Sequence, residues 1–194
     1  MRLLITGFDP FGGQPINPSW EAVNALPDRI GRCQLDKLQI PTVFGAAARR
    51  VLARAEETQP DLILSVGQAA LRGAITPEQI GINLRRATLA DNAGQQPTDE
   101  PILPGGPDGL FSTLPVPEMA RAIQAAGIPG QVSYSAGAFV CNDVLYTLLH
   151  HFRGSGTGVG FVHVPLLPQQ ARPGEASLTL EQMVAGLTAA IEIL

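Results

Sequence analysis

Cys141 is the residue of this chain best suited to nucleophilic chemistry, and it stands at a sharp change of local pattern. Gln131 to Ser135 has the character of a short strand, and an apolar helical pattern runs from about Phe139 to Phe152. A thiol in the first turn of a helix faces the positive end of the helix dipole, which favours the nucleophilic thiolate. A buried structural cysteine is the alternative interpretation, because free cysteines are commonly buried.

A catalytic thiolate also needs an imidazole that accepts and returns a proton, and a third group that orients this imidazole. His150 and His151 fall in the last turn of the helix that begins near Cys141, roughly 13–15 Å from the thiol at the rise of an α-helix. We expect them to act as favourable charges at a helix C-terminus. His163 ends an apolar strand, where it is either a satisfied core histidine or, beside a helix-start cysteine, the general base.

The orienting group is best sought in the run from Thr76 to Asn83, which places the carboxylate of Glu78 among apolar neighbours. The alternative for Glu78 is an acidic residue in the first turn of a helix capped by Thr76. The sequence alone leaves open whether Glu78 approaches His163.

Apolar strand patterns and helical patterns alternate along the chain, and glycine or proline bounds many of them. Asn17-Pro18 is a typical helix start, with asparagine at the N-cap and proline at the first helical position. Strands are predicted at 2–6, 36–41, 61–67, 131–135 and 159–164, and further helices at 44–58, 118–126, 139–152 and 178–194. This order predicts an α/β fold in one domain, residues 1–194: a three-layer α/β/α sandwich with a mixed, mostly parallel sheet.

The ligand site of such a sheet lies beyond the carboxyl ends of its strands. The loop after the first strand, the segment after Gly67, Cys141 and the end of the His163 strand are therefore predicted to share one rim. Residues 85–117 are rich in Pro, Gly and Asp and show little periodicity. A long irregular segment of this kind is typically a functional loop, so we expect a lid, an interface, or both.

Composition excludes several classes of function. The chain has 194 residues and a net charge of −4, and its single lysine, Lys37, argues against nucleic acid, which needs a dense cationic surface. No stretch approaches the ~20 apolar residues of a membrane span. The cysteines and histidines lack the spacing of a zinc site, so no metal is expected.

The compartment is inferred from the two cysteines. Cys33 and Cys141 would in principle form one disulfide. The first residues of the chain lack the apolar region of a signal peptide, because Leu3-Leu4-Ile5 is far too short. We therefore expect a reduced, cytoplasmic protein with two free thiols.

Four segments carry motifs in a consistent order. They are residues 3–13 together with 17–23, residues 67–83, residues 135–142 and residues 161–165. These segments resemble the amino-terminal signature, the glutamate motif, the cysteine motif and the histidine motif of the pyrrolidone-carboxylate peptidases, also called pyroglutamyl-peptidase I. The similarity extends over almost the whole chain.

The resemblance implies a cysteine peptidase that removes an amino-terminal pyroglutamyl residue through a thioester. It implies Cys141 as nucleophile, His163 as base and Glu78 as the residue that orients the base. It implies no cofactor and a homo-oligomer, either a dimer or a tetramer. The substrate pocket that it implies consists of Phe8, Phe11, Asn17, Gln68, Phe139 and Val140.

Pyroglutamate is glutamate closed into a lactam, so its peptides have no free terminal amine. A suitable pocket is apolar and aromatic, with a few polar groups that bond the lactam. Phe8 and Phe11 on a glycine-rich loop suit this requirement, although both are also plausible core residues. The backbone N–H of Cys141, at a helix start, is a plausible oxyanion donor.

Two positions depart from the family pattern: Gln79 stands where a basic residue is usual, and Thr88 stands where an arginine is usual. Arg72, Arg85 or Arg86 would have to replace that arginine in supporting the transition state, and the alternative for each is a solvated surface charge. A catalytically impaired relative that binds pyroglutamyl peptides is therefore a second hypothesis. A phosphate-binding protein that uses the loop 7–13 is a third, weakened by the lack of a P-loop lysine and of a dinucleotide glycine pattern.

Overall fold

The computed structural model of the protein describes residues 1–194 and contains eight strands and five helices. The strands are β1 Arg2–Phe8, β2 Arg29–Ile30, β3 Cys33–Ile40, β4 Leu62–Gln68, β5 Thr76–Pro77, β6 Ile80–Ile82, β7 Gly109–Phe111 and β8 Gly158–Val164. The helices are α1 Pro18–Ala25, α2 Ala46–Thr58, α3 Val116–Ala125, α4 Val140–His151 and α5 Leu180–Glu192. None of these helices is long and apolar enough to cross a membrane.

The main sheet has six strands in the order β2-β3-β1-β4-β8-β5. The four central strands β3, β1, β4 and β8 are parallel, and the short outer strands β2 and β5 are antiparallel to their neighbours. Strands β6 and β7 form a separate antiparallel pair. The predicted mixed, mostly parallel sheet is confirmed.

Two hydrophobic cores lie on the two faces of this sheet. Successive residues of a strand point to opposite faces, so Leu3 and Ile5 of β1 enter one core while Leu4 and Phe8 enter the other. Helices α1, α3 and α5 contribute to the core of Leu3 and Ile5, and helices α2 and α4 contribute to the core of Leu4 and Phe8. The predicted three-layer arrangement is therefore confirmed.

Residues 131–135 form no regular strand, contrary to the sequence pattern. Within them only Ser133 makes an isolated parallel bridge, to Glu78, and the preceding Gly130 makes another, to Ile75. The neighbouring strand β5 is only two residues long, and its Pro77 has no N–H for a ladder. A continuous pairing therefore cannot develop.

Residues 85–117 are also more ordered than their composition indicates. They contain strand β7 and the first two residues of α3, Val116 and Pro117. Gly109–Phe111 is paired with Ile80–Ile82, so the partner of β7 lies far away in sequence and local periodicity does not identify it.

Candidate active site

Cys141 is the second residue of α4, whose N-cap is Phe139. The helix start is held by the buried side chain of Asn142, which donates to the carbonyls of Ile82 and Leu84 at 2.9 and 3.0 Å and accepts from the N–H of Ile82 at 2.9 Å. The three hydrogen bonds of the Asn142 side chain therefore fix the backbone next to Cys141.

Gly67, near the end of β4, provides the space for the thiol. A Cβ atom at Gly67 would lie 2.8 Å from the Cys141 Sγ atom and 2.8 Å from the ring of Phe161. The sulfur therefore packs directly over the glycine backbone, and any side chain there would displace it. Gly67 is paired with His163 of β8, so this contact places the sulfur beside the histidine.

His163 and Glu78 are brought together across 85 residues of sequence. The Nδ1 atom of His163 lies 2.7 Å from the Oε1 atom of Glu78, and both side chains are buried. Glu78 directly follows β5, where its N–H donates to the Phe161 carbonyl at 2.8 Å. Thr76 lies in β5, so the alternative of Glu78 as a first-turn helix residue is wrong.

Arg72 belongs to the same cluster and is not a free surface charge. Its guanidinium donates to Glu78 Oε1 and to the Thr76 hydroxyl, and at 2.8 Å to the carbonyl of Ser135. Glu78 Oε2 has no partner at hydrogen-bonding geometry, although the nearby Ser133 hydroxyl helps to lower the pKa of Glu78. That hydroxyl donates instead to the Ser135 carbonyl at 3.3 Å.

The pKa values of the acid and the base are both lowered. Burial alone would raise the pKa of Glu78, but the hydrogen bond and charge of His163 and the charge of Arg72 outweigh it and leave that pKa below its ordinary value. Burial lowers the pKa of His163, and the neighbouring Glu78 only partly offsets this effect. The imidazole is therefore neutral at neutral pH and able to accept a proton.

Burial of the Cys141 sulfur favours the protonated thiol over the thiolate. Part of the Cys141 surface faces the cavity, but burial of the sulfur, aided by the charge of Glu78, raises the pKa of Cys141 to about 12. Arg72 and the backbone N–H of Cys141 oppose this rise without overcoming it. The helix start therefore favours the thiolate, as expected, but desolvation of the sulfur has the larger effect on this pKa.

A cavity of about 290 Å³ opens onto Cys141 and His163. Both of these residues line it, as do Phe8, Phe11, Asn17, Gln68, Arg72 and Phe139. Five more lining residues escaped the sequence analysis: Thr42, Ala69, Ser135, Ala136 and Gly137. Ser135, Ala136 and Gly137 lie within the cysteine motif and Ala69 lies within the glutamate motif, whereas Thr42 follows β3 and carries no chemical signature of its own.

Aromatic rings form much of the cavity wall. The ring centroids of Phe11 and Phe139 are 6.1 Å apart, and Phe44 supports Phe139 edge-on at 5.2 Å. Phe8 is almost fully buried against Phe161, so it is a core residue and a wall residue at once. The cavity therefore offers flat apolar surfaces.

The polar residues of the cavity differ in how fully they are engaged. Asn17 caps α1 by accepting from the N–H of Ser19, and it donates to the Asp9 carbonyl at 2.9 Å. Its side chain thus holds the loop that carries Phe11. The Oε1 atom of Gln68 is buried without any partner, which leaves it available to a ligand that donates a hydrogen bond.

Two residues expected at the site lie outside it. The side chain of Val140 is fully buried in the core and does not line the cavity. Arg85 is absent from the cavity wall and pairs with the buried Asp143, with its Nε 2.6 Å from Oδ1. The Arg85 guanidinium lies 6.0 Å from the centroid of the Phe44 ring, and its support of the transition state stays a prediction.

Arg86 and Thr88 line a second cavity, which shares Phe11 and Phe139 with the first. Arg86 forms an exposed ion pair with Asp99 at 3.2 Å. His150 and His151 lie in the last turn of α4, at the opposite end from Cys141. No group of three or more His, Cys, Asp or Glu side chains is placed to hold a metal ion.

Comparison with known proteins gives consistent matches over the full length. The family model described as pyroglutamyl peptidase matches residues 1–194. The pyrrolidone-carboxylate peptidase of Levilactobacillus brevis is 50% identical over 196 residues, which cover 98% of this chain and 96% of the relative. That of Lactobacillus helveticus is 47% identical over 195 residues, which cover 99% and 98%.

Solved structures match equally well. The crystal structure of pyroglutamyl peptidase I from Bacillus amyloliquefaciens superposes with a TM-score of 0.94 at 40% identity, covering 98% of this chain and 95% of that one. The pyrrolidone carboxyl peptidase from Thermococcus litoralis gives a TM-score of 0.93 at 32% identity, covering 99% and 92%.

Proposed function

The chain belongs to the pyroglutamyl peptidase family, and from this membership we propose that Cys141, His163 and Glu78 carry out its reaction. The protein is a cysteine-type exopeptidase that removes an amino-terminal pyroglutamyl residue from peptides. One observation carries the assignment of roles: the Cys141 sulfur rests on Gly67, the strand neighbour of His163, whose Nδ1 is bound to Glu78. A working peptidase is favoured over an impaired relative and over a phosphate-binding protein.

The pyroglutamyl ring binds among the aromatic side chains of the cavity. Phe11 and Phe139 offer their faces to the flat lactam, and Phe8 closes the floor. The unpartnered Oε1 of Gln68 accepts the lactam N–H, which satisfies a buried acceptor that otherwise remains without a hydrogen bond. No Asp or Glu side chain lines the cavity, so the pocket offers no carboxylate to bind an ammonium. This arrangement favours pyroglutamate over an ordinary amino terminus.

Acylation begins from a neutral thiol and a neutral imidazole. As the sulfur of Cys141 attacks the carbonyl carbon after the ring, its proton passes to Nε2 of His163. Glu78 accepts the Nδ1–H and stabilises the imidazolium that forms. Burial raises the pKa of Cys141, so His163 has to accept the thiol proton for the sulfur to act as a nucleophile.

The start of α4 binds the oxyanion. Its N-cap residue makes no side-chain capping bond, and the first N–H groups of a helix have no partner within the helix. The N–H groups of Val140 and Cys141 therefore remain free to stabilise negative charge on the carbonyl oxygen. In this role Val140 serves the substrate through its backbone.

Collapse of the tetrahedral intermediate breaks the C–N bond, and His163 gives its proton to the departing amine. Water then attacks the thioester with His163 again as base, releasing pyroglutamate and restoring the thiol. Arg72 does not contact the oxyanion, because its guanidinium is occupied by Glu78, Thr76 and Ser135. We assign it as a positioning residue for Glu78.

The decisive experiment is hydrolysis of a chromogenic pyroglutamyl amide. We expect turnover by the wild type, loss of turnover in Cys141→Ser and loss on alkylation of Cys141. Cys33→Ala is the matched control, because Cys33 is fully buried in the core of α1, α3 and α5. Undiminished turnover in Cys141→Ser would contradict the mechanism, and an inactive wild type would restore the hypothesis of an impaired relative.

We also propose a cytoplasmic location and a homo-oligomer, either a dimer or a tetramer. Both cysteines are unpaired, and free thiols are typical of a reducing compartment. The ring of Phe111, in the segment 85–117, is 68% exposed, which supports this segment as an interface. Light scattering of wild type and Phe111→Asp tests the assembly, and a monomeric wild type would exclude it.

A further inference from the structure

The strand order of the sheet sets the order in which the ring pocket, the nucleophile and the base lie across the sheet. Phe8 ends β1, Gly67 with the Cys141 sulfur lies on β4, His163 lies on β8 and Thr76 lies on β5. These strands are consecutive in the sheet, and neighbouring strands are about 4.8 Å apart. The ring pocket, the nucleophile and the base therefore follow one another from β1 to β8, at intervals of about one strand spacing.

This order of groups fixes the direction in which a bound peptide runs across the sheet. The pyroglutamyl ring lies on the β1 side of the sulfur, among Phe8 and its neighbours. The departing nitrogen takes its proton from His163, so it lies on the β8 side. The peptide beyond that nitrogen must then continue toward β5 and the segment that borders it, residues 131–135.

A cleft of about 410 Å³ lies in that direction. It shares Arg72 and Ser135 with the catalytic cavity, and its other walls include Thr76, Gln131, Ser133 and Tyr134. The side chain of Tyr134 is 74% exposed. An aromatic ring so exposed beside a catalytic cavity is well suited to contact a ligand side chain.

The backbone of residues 131–134 is hydrogen-bonded to β5 and its neighbours on one side and makes no backbone hydrogen bond on the other. The N–H groups of Gln131 and Ser133 donate to the carbonyls of Ile75 and Pro77. Val132 and Tyr134, which alternate with them, make no backbone hydrogen bond. Their N–H and C=O groups form a short open edge, of the kind to which an extended peptide adds.

We propose that this cleft binds the residue that follows pyroglutamate. Its side chain extends past Arg72 and Ser135 and packs on Tyr134, and the open edge of residues 132–134 is left for residues further along the peptide. The occupant favoured by these contacts is a peptide whose first leaving residue is large and apolar or aromatic. This inference rests on the proposed function, because it takes the direction of the peptide from the roles of Cys141 and His163.

The test compares two peptides that differ only after the ring, pyroglutamyl-phenylalanyl-alanine and pyroglutamyl-glycyl-alanine. We expect the wild type to have the higher kcat/KM for the phenylalanyl peptide. Tyr134→Ala should lower that value about fivefold, in line with the loss of one aromatic contact, and change the glycyl value by less than about twofold. Tyr134→Phe should keep the preference.

Leu89→Ala is the matched control. Leu89 is 51% exposed and apolar, and it lines the second cavity rather than the proposed cleft. We expect this variant to keep the preference for phenylalanine. A preference that is lost in Leu89→Ala and kept in Tyr134→Ala would overturn the proposal and assign the leaving residue to the second cavity.

A second readout uses the thioester directly. Phenylalaninamide added to the reaction attacks the thioester carbon, breaks the C–S bond and passes its proton to His163, giving pyroglutamyl-phenylalaninamide. Tyr134→Ala should lower the ratio of this product to free pyroglutamate. An unchanged ratio would contradict the cleft, whereas failure of the wild type to cleave either peptide would instead contradict the proposed function.

Discussion

Two buried ion pairs of this protein match in almost every local respect, yet only one lies in the catalytic cavity. Arg72 pairs with Glu78, and Arg85 pairs with Asp143. Both carboxylates are fully buried, and the arginine side chains are 24% and 25% exposed. Burial and charge pairing alone therefore do not distinguish a catalytic carboxylate from a structural one.

The difference lies in the other partners of each carboxylate. Asp143 uses both oxygens on fixed groups, Oδ1 with Arg85 and Oδ2 with the N–H of Gly45 at 2.8 Å. Glu78 directs Oε1 to His163, which itself gains and loses protons, and its Oε2 has no hydrogen-bond partner. A buried carboxylate that binds a titrating group at a cavity wall is expected to be catalytic. A buried carboxylate whose two oxygens both bind fixed donors is expected to be structural.

The largest expected effect is on Glu78. We predict that Glu78→Gln lowers kcat about 10³- to 10⁴-fold, because a neutral amide neither stabilises the imidazolium nor selects the right tautomer of His163. The comparison variant Asp143→Asn should lower kcat less than about tenfold. Steady-state kinetics on a pyroglutamyl amide measure both values, and equal losses would remove the distinction between the two pairs.

The second largest effect is expected on the stability of the fold, when the pair of Arg85 and Asp143 is broken. We predict that Asp143→Ala lowers the free energy of unfolding by about 3–5 kcal/mol, since it leaves the guanidinium of Arg85 and the N–H of Gly45 without their partner. Thermal denaturation should show a fall in Tm of about 10 °C. Asp99→Ala, which breaks the exposed pair with Arg86, is the control and should cost less than about 1 kcal/mol.

The two arginines provide a third, smaller contrast. We predict that Arg72→Met lowers kcat/KM about 10- to 100-fold, the equivalent of losing a charged hydrogen bond that positions Glu78. KM should change little, because Arg72 is assigned no contact with the ring. Arg85→Met should lower Tm while kcat/KM stays within a few-fold of wild type. A larger loss of kcat/KM in Arg85→Met would place Arg85 back in the reaction.

Much of the fold is predictable because its signals are local. Asn17-Pro18 marks the start of α1, and the apolar runs of β1, β4 and β8 identify the buried centre of the sheet. The motifs around Glu78, Cys141 and His163 likewise identify the groups of the proposed triad. Each of these signals is contained within a few neighbouring residues.

What escapes prediction depends on contacts distant in sequence. The partner of Arg85 lies 58 positions away in α4, so the chain pattern does not separate it from Arg72. The protonation of Cys141 is also set by distant groups, because burial against β4 and the charge of Glu78 override the local helix dipole. Residues 131–135 read as a strand but lack a strand long enough to pair with.

The smallest expected effect concerns pH. Because the pKa of His163 lies below its ordinary value of 6.5, kcat/KM should rise with pH along a limb below 6.5 and then stay level through neutral pH. Glu78→Gln removes the hydrogen bond and the charge that raise this pKa, so the limb should move to still lower pH, while Asp143→Asn should leave it in place. A pH profile of the residual activity checks both, and a limb that moves upward would contradict the assigned contact.

The two cysteines have a practical consequence because of their very different burial. Cys141 opens onto the cavity, whereas Cys33 is sealed in the core beneath α5. One equivalent of a thiol reagent taken up by the native protein therefore counts competent catalytic centres. A second equivalent reacts with Cys33 only when local unfolding exposes it, so its rate of uptake measures how often the core of α1, α3 and α5 unfolds locally.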